Sequence, residues 1–173
     1  STRYGDTSTE DELDMGPLIN QAGLTNVSEM VQAAVDAGAQ VVCGGAAAED
    51  KGKGFFYQPT LLDGVEKGSA ITREEVFGPV LPVVTVKDLD EAIEFANSSE
   101  YGLTSSVYTE NVHKAHKAAR ELLYGETYIN RENFEAMQGF HAGRRNSGIG
   151  GADGKHGIME FVETHVTYIE SKM

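Results

Sequence analysis

Between Val80 and Asn130 the hydrophobic period changes from strand-like to helix-like and back, twice over, and this alternation constrains the fold more than any other feature. Val80–Val86 is an apolar, β-branched run in which Pro82 limits pairing near its start. Asp88 then stands where a helix cap is wanted, with Glu91 three residues on, and Leu89, Ala92, Ile93 and Ala96 recur at helical spacing. Leu103–Thr109 is a second strand. Asn111–Leu123 is a second helix with Val112, Ala115, Ala119 and Leu122 inward, and Glu126–Asn130 is a third strand. This order predicts an α/β fold, a mostly parallel sheet flanked by helices and joined by right-handed crossovers. Ligands of such sheets sit beyond the carboxyl ends of the strands.

The last of those strands empties into a long loop, so that function is expected between Gly125 and Gly157. Eight of the chain's 20 glycines lie in this stretch, with Arg131, Glu132, Glu135, His141, Arg144, Arg145, Asp153 and Lys155. It is too polar and glycine-rich for packed core, yet Tyr128, Phe134, Met137 and Phe140 give it packing residues of its own. The glycines of Ser147–Gly151 are expected to let backbone pass close to backbone, because the run lacks the Gly-Lys-Ser/Thr of a phosphate loop. A short helix, Ile158–Glu163, and a last strand, Val166–Glu170, follow. A terminal strand of this kind is free to add to the edge of a neighbouring subunit.

Upstream, the first 20 residues are acidic and irregular (Asp6, Glu10, Asp11, Glu12, Asp14), with Pro17 breaking any helix. Asn26–Ala37 is an amphipathic helix with Val27, Met30, Val31 and Ala34 on one stripe, Asn26 and Glu29 as a capping box, and Gly38 as its stop. Gln40–Cys43 is expected to be a short buried strand. Phe55–Leu62 is strand-like, and Pro59 assigns it to an edge.

The balance of 27 acidic against 14 basic residues gives a formal net charge of −13. That total repels a phosphate backbone or an anionic membrane surface, so nucleic acid and membrane are not expected as partners. No apolar run approaches the roughly 20 residues that span a bilayer. A single cysteine, Cys43, excludes an internal disulfide and suits a reducing, cytoplasmic setting. The first residues resemble the middle of a protein, so a piece of a longer polypeptide is expected.

Five groups of residues invite a chemical reading. Glu75 and Phe77 precede the turn-forming Gly78-Pro79 and would project the same way in extended chain. A carboxylate accepts both hydroxyls of a ribose and an aromatic faces a flat ring, although a surface acid beside a core Phe is the plainer reading. Glu135 and His141 could hold hydroxyl and carbonyl oxygens of a small polar substrate, or be a solvated acid and a satisfied histidine. Arg131 and Glu132 suit each other or the scaffold as well as a ligand. Cys43 is expected to be an inert, buried thiol, and His113 with His116 to lie on a solvated helix face, where Lys114 and Lys117 oppose a cation.

The runs Glu75-Val76-Phe77-Gly78-Pro79, Asn97 to Gly102-Leu103-Thr104, Tyr128-Ile129-Asn130 and Ser147-Gly148-Ile149-Gly150, in this order and spacing, resemble the C-terminal part of the NAD(P)-dependent aldehyde dehydrogenase superfamily. Gly125–Gly157 looks like its lactaldehyde/glycolaldehyde branch. The resemblance implies oxidation of a small hydroxyaldehyde to the acid through a cysteine thioester, with NAD or NADP as cofactor. It implies that Glu75 holds the nicotinamide-side ribose, that Phe77 contacts the nicotinamide, and that Glu135 and His141 contact substrate. It further implies a partial catalytic domain over residues 1–163 and an oligomerisation strand over 164–173, making a homo-oligomer. The chain carries no Gly-Gln-x-Cys nucleophile motif and no oxyanion-hole Asn or activating Glu that can be identified. By itself it is therefore expected to be inactive, with no catalytic residue, no metal site and no bound cofactor. A non-catalytic assembly or binding module derived from a dehydrogenase is the alternative.

Overall fold

A computed structural model describes residues 2–8 and 12–171. Glu10 and Asp11 of the acidic start lie outside the described residues. The chain divides into two compact units, Ser1–Val86 and Lys87–Met173.

In the first unit a 16-residue helix, α1 (Gln21–Asp36), packs on a three-stranded sheet of β1 (Gln40–Cys43), β2 (Thr60–Asp63) and β3 (Val80–Pro82), with the four-residue helix α2 (Ala70–Arg73) between β2 and β3. Helix α1 starts before the expected Asn26. Its cap is Asn20, whose side chain accepts the Gly23 N–H at 2.8 Å, while Asn26 is exposed within the helix. The stripe itself is as expected: Val27, Val31 and Ala34 are buried against Tyr57, Leu62, Val65 and Ile71. Gly38 ends the helix region with φ +106°, which a side chain would resist.

Two strand expectations change. β2 is the middle strand, antiparallel to β1 and parallel to β3, and Pro59 falls just before it, so the missing donor interrupts no ladder. β1 exists with the expected bounds but is exposed along its whole length, and Cys43 is exposed rather than buried. The apolar run Val41-Val42-Cys43 looks two-sidedly buried; at a sheet edge with only β2 beside it, its side chains remain open.

The second unit opens with α3 (Leu89–Asn97). Asp88 caps it by accepting the Glu91 N–H at 2.9 Å, and the Glu91 carboxylate accepts the Lys87 N–H at 2.6 Å. A two-residue strand β4 (Tyr101–Gly102) and β5 (Thr104–Val107) follow. Helix α4 (Val112–Glu121) is capped by Asn111, and β6 (Glu126–Ile129) pairs parallel to β5 in the strand–helix–strand order predicted. The inner face of α4 is rotated from the expected one. Ala118 and Leu122 are buried with Ile93, whereas Val112 and Ala119 are exposed, because packing selects the Ala115–Ala118–Leu122 stripe.

The remaining chain is more structured than a loop. β7 (His141–Ala142) pairs antiparallel with β9 (Gly151–Ala152), and β8 (Arg144–Arg145) pairs antiparallel with β4. Helix α5 covers Gly154–Met159, starting earlier than the expected Ile158–Glu163 and overlapping it at Ile158 and Met159. Among the described residues the strands thus form four small sheets, some paired parallel and some antiparallel, where one mostly parallel sheet was expected. Val166–Glu170 makes no ladder among the described residues, and Val166, Tyr168 and Ile169 are exposed. No helix among the described residues is long and apolar enough to cross a membrane.

Candidate active site

Glu75 and Phe77 lie in the first unit, on the connection from α2 to β3. Both are exposed, Phe77 at 75% of its surface. The segment is not simply extended: Phe77 has φ +52°, a left-handed conformation uncommon for an aromatic residue. Gly78 explains how the turn is held. A Cβ on it would come within 2.5 Å of the Val27 side chain, so the backbone rests directly on α1 and leaves the Phe77 ring outside.

Glu135 and His141 lie in the second unit. His141 sits on β7 with its Nδ1 buried and 3.2 Å from Glu126 Oε2, off hydrogen-bond alignment. The carboxylate beside the imidazole is therefore Glu126, on β6, and not Glu135. The same Oε2 accepts the Tyr128 hydroxyl at 2.5 Å. Glu126 and Tyr128 are two apart on a strand, which turns both to one face. That spacing was visible in the sequence, but nothing near it signalled that His141 would come to the same place.

This hydrogen bond, burial and the Glu126 charge push the Tyr128 phenol up to about 12 from an ordinary 10.0, with the Glu135 charge adding in the same direction and Arg131 opposing. Glu135 is exposed and within electrostatic reach of the Tyr128 hydroxyl. Arg131 lies over the Tyr128 ring at 5.4 Å and donates to the Phe134 carbonyl at 2.6 Å, so it is engaged with the scaffold.

Close backbone packing sets this cluster. A Cβ on Gly125 would overlap the Ala142 carbonyl oxygen, and one on Gly151 the His141 carbonyl oxygen. The glycines let β6, β7 and β9 approach one another, as expected for Gly151. Arg145, at φ +54°, ties the loop to the helices by donating to the carbonyls of Asn97, Ser99 and Leu123. Ser147 Oγ accepts the Gly102 N–H at 2.8 Å. His113 and His116 are exposed on α4.

These motifs and this fold are those of the aldehyde dehydrogenase family, whose model matches residues 1–167, and the chain belongs to that family. Within it, the chain is 56% identical over 171 residues to a lactaldehyde dehydrogenase of Escherichia coli (strain K12), covering 99% of this chain and 35% of that protein. A crystal structure of lactaldehyde dehydrogenase from E. coli superposes with a TM-score of 0.92 over the same shares, 99% and 35%. A 3,6-anhydro-alpha-L-galactose dehydrogenase of Vibrio sp. (strain EJY3) is 41% identical over 160 residues, 91% of this chain and 33% of that protein. A structure of a 3,6-anhydro-L-galactose dehydrogenase in complex with NAP matches at TM-score 0.87 and 42% identity, covering 94% of this chain and 34% of that one. The chain thus spans about a third of the length of these relatives.

Proposed function

We propose that this chain is the distal part of an NAD(P)-dependent aldehyde dehydrogenase that oxidises a small hydroxyaldehyde, of the lactaldehyde or glycolaldehyde type, to the acid. The observation that carries this reading is the 56% identity to lactaldehyde dehydrogenase over 99% of the chain. The oxidation runs through a thioester on a cysteine outside this chain. Cys43, on an exposed edge strand, has no part in it.

Glu75 and Phe77 suit the cofactor: an exposed carboxylate and an exposed ring two residues apart, on a turn braced against α1, offer an acceptor for a diol and a face for a flat heterocycle. A nicotinamide bound there would supply the hydride acceptor. The part of this chain is to bind and orient. Glu75 accepts the ribose hydroxyls, Phe77 limits how the ring sits, and Glu135 with His141 holds the polar end of the aldehyde. Residues 1–163 then form part of the catalytic domain and 164–173 an assembly strand in a cytoplasmic homo-oligomer.

The test is steady-state kinetics of the enzyme that carries this chain, with glycolaldehyde and lactaldehyde against NAD and NADP. Glu75→Ala is expected to raise the KM for cofactor, and His141→Ala the KM for hydroxyaldehyde, each by about tenfold, the size of one lost hydrogen bond to a polar or charged group. The 173-residue chain alone is expected to reduce no NAD. Turnover of glycolaldehyde by the chain alone, retained in Cys43→Ser, would overturn that part.

A second reading, a non-catalytic assembly module, is favoured by the exposed, unladdered Val166, Tyr168 and Ile169. Sedimentation across a dilution series, with and without residues 164–173, decides it. A size unchanged by the deletion removes the assembly role.

A further inference from the structure

Glu126 belongs to none of the motifs that led to the site, yet it is the residue that His141 faces. Its Oε2 meets two groups at once, the Tyr128 hydroxyl at 2.5 Å and His141 Nδ1 at 3.2 Å. The Glu126 side chain is 13% exposed and that of His141 31%. Nδ1 itself is shut off from solvent, so the open part of the imidazole lies away from Glu126.

This arrangement determines where a neutral imidazole keeps its proton. With the proton at Nε2, the unprotonated Nδ1 would lie 3.2 Å from a carboxylate oxygen, shut off from solvent and with nothing to offset the repulsion. With the proton at Nδ1, the same contact becomes attractive and Nε2 is left as an acceptor. Tyr128 strengthens the preference. Its hydroxyl donates to the same Oε2 and so restrains the carboxylate on the histidine side of β6.

We propose that Glu126 and Tyr128 are positioning residues for His141, holding its proton at Nδ1 so that Nε2 accepts a hydrogen bond from a hydroxyl of the aldehyde substrate. The functional half of the proposal rests on the reading of His141 as a substrate contact; the tautomer half does not. It assigns His141 to the hydroxyl of the substrate and not to its carbonyl, since an acceptor nitrogen repels a carbonyl oxygen. Discrimination for hydroxylated over plain aldehydes then depends on a carboxylate that itself touches no substrate.

Two measurements test the two halves separately. Long-range proton–nitrogen correlation spectra of the 173-residue chain, with the His141 signals assigned by their loss in His141→Ala, report the tautomer directly. The expected pattern is a protonated Nδ1 and an unprotonated Nε2, changing to a mixture in Glu126→Gln. An Nε2-protonated ring in the unaltered chain, or a pattern that Glu126→Gln leaves unchanged, overturns the proposal. Tyr128→Phe, which keeps the ring and removes only the hydroxyl, serves as the milder variant and is expected to shift the pattern part of the way.

In the enzyme that carries this chain, the ratio of kcat/KM for glycolaldehyde to that for acetaldehyde is the second readout. Glu126→Gln is expected to lower it about tenfold through the KM for glycolaldehyde, and to add nothing in a His141→Ala background. A ratio that falls in His141→Ala but not in Glu126→Gln overturns the positioning role and leaves the substrate reading standing. A ratio that His141→Ala leaves unmoved overturns the substrate reading, whatever the tautomer.

Discussion

The Asn130 side chain takes the place of a backbone partner for Thr109: its Oδ1 accepts the Thr109 N–H at 2.7 Å and its Nδ2 donates to the Thr109 carbonyl at 2.9 Å. Asn130 stands one residue past β6 at φ +55°, where the main chain turns away from β5. The amide continues the ladder after the backbone has left it. Asn130→Ala loses both hydrogen bonds and strains the left-handed turn, and is expected to cost about 1–3 kcal/mol. Asn130→Gly keeps the turn and should cost less. Urea midpoints for the two variants check the order.

Arg145 reaches three carbonyls, those of Asn97, Ser99 and Leu123, from one guanidinium. Lysine has the charge but not the planar fork, and so cannot span them. Arg145→Lys is expected to destabilise the chain by about 1.5–3 kcal/mol, the range for hydrogen bonds to a charged donor. Amide exchange in α3 and in α4 should speed up together, since the guanidinium joins the C-terminal ends of both helices to the loop.

Gly78 offers a test of how the Phe77 turn is braced. Gly78→Ala places a methyl 2.5 Å from a Val27 side chain that has no exposed surface to yield into. Overpacking of this kind costs about 1–3 kcal/mol. The enzyme carrying the variant is expected to show a lower melting temperature and a raised KM for cofactor together. A raised KM without loss of stability would mean the turn moves for another reason.

Tyr128 gives a pH signature. Its phenol is raised to about 12 in the folded chain, from 10.0, chiefly by the hydrogen bond to Glu126. A raised pKa means that the folded state holds the proton more tightly. The stabilisation is therefore complete below about pH 10 and is lost as the pH rises towards 12. The slope of stability against pH in that window should flatten in Tyr128→Phe. An ultraviolet titration of tyrosinate, taken as the difference between the two chains, should show the missing phenol ionising late.

Much of the second unit was legible because its signals are local. Asp88 with Glu91 and Asn111 mark the starts of α3 and α4, and the strand–helix–strand order from Leu103 to Asn130 requires β5 and β6 to pair in parallel. What failed to show depends on partners distant in sequence. Asn20 and Asn26 are both good caps; the earlier one is used, and Leu24 in the added turn packs against the core. Val41-Val42-Cys43 carries the composition of a buried strand, but composition is silent about how many neighbours a strand has. The site divides in the same way. His141 stood out because histidine in a glycine-rich loop is conspicuous, whereas Glu126 was hidden in a strand fifteen residues upstream, and the two meet only through the β6–β7 approach.

The glycine at 125 bears on how preferences could be redesigned. Because the main chain at Gly125, one residue before β6, lies directly against the Ala142 carbonyl, the span between positions 126 and 141 is gauged by backbone and owes nothing to the bulk of the side chains that project from it. Such a frame works like a jig: side chains at 126, 128 and 141 are interchangeable inserts, and Gly125 is the fixed stop. A library that varies the three together and leaves the glycine alone would keep its register and explore chemistry. One that varies Gly125 would lose the register first.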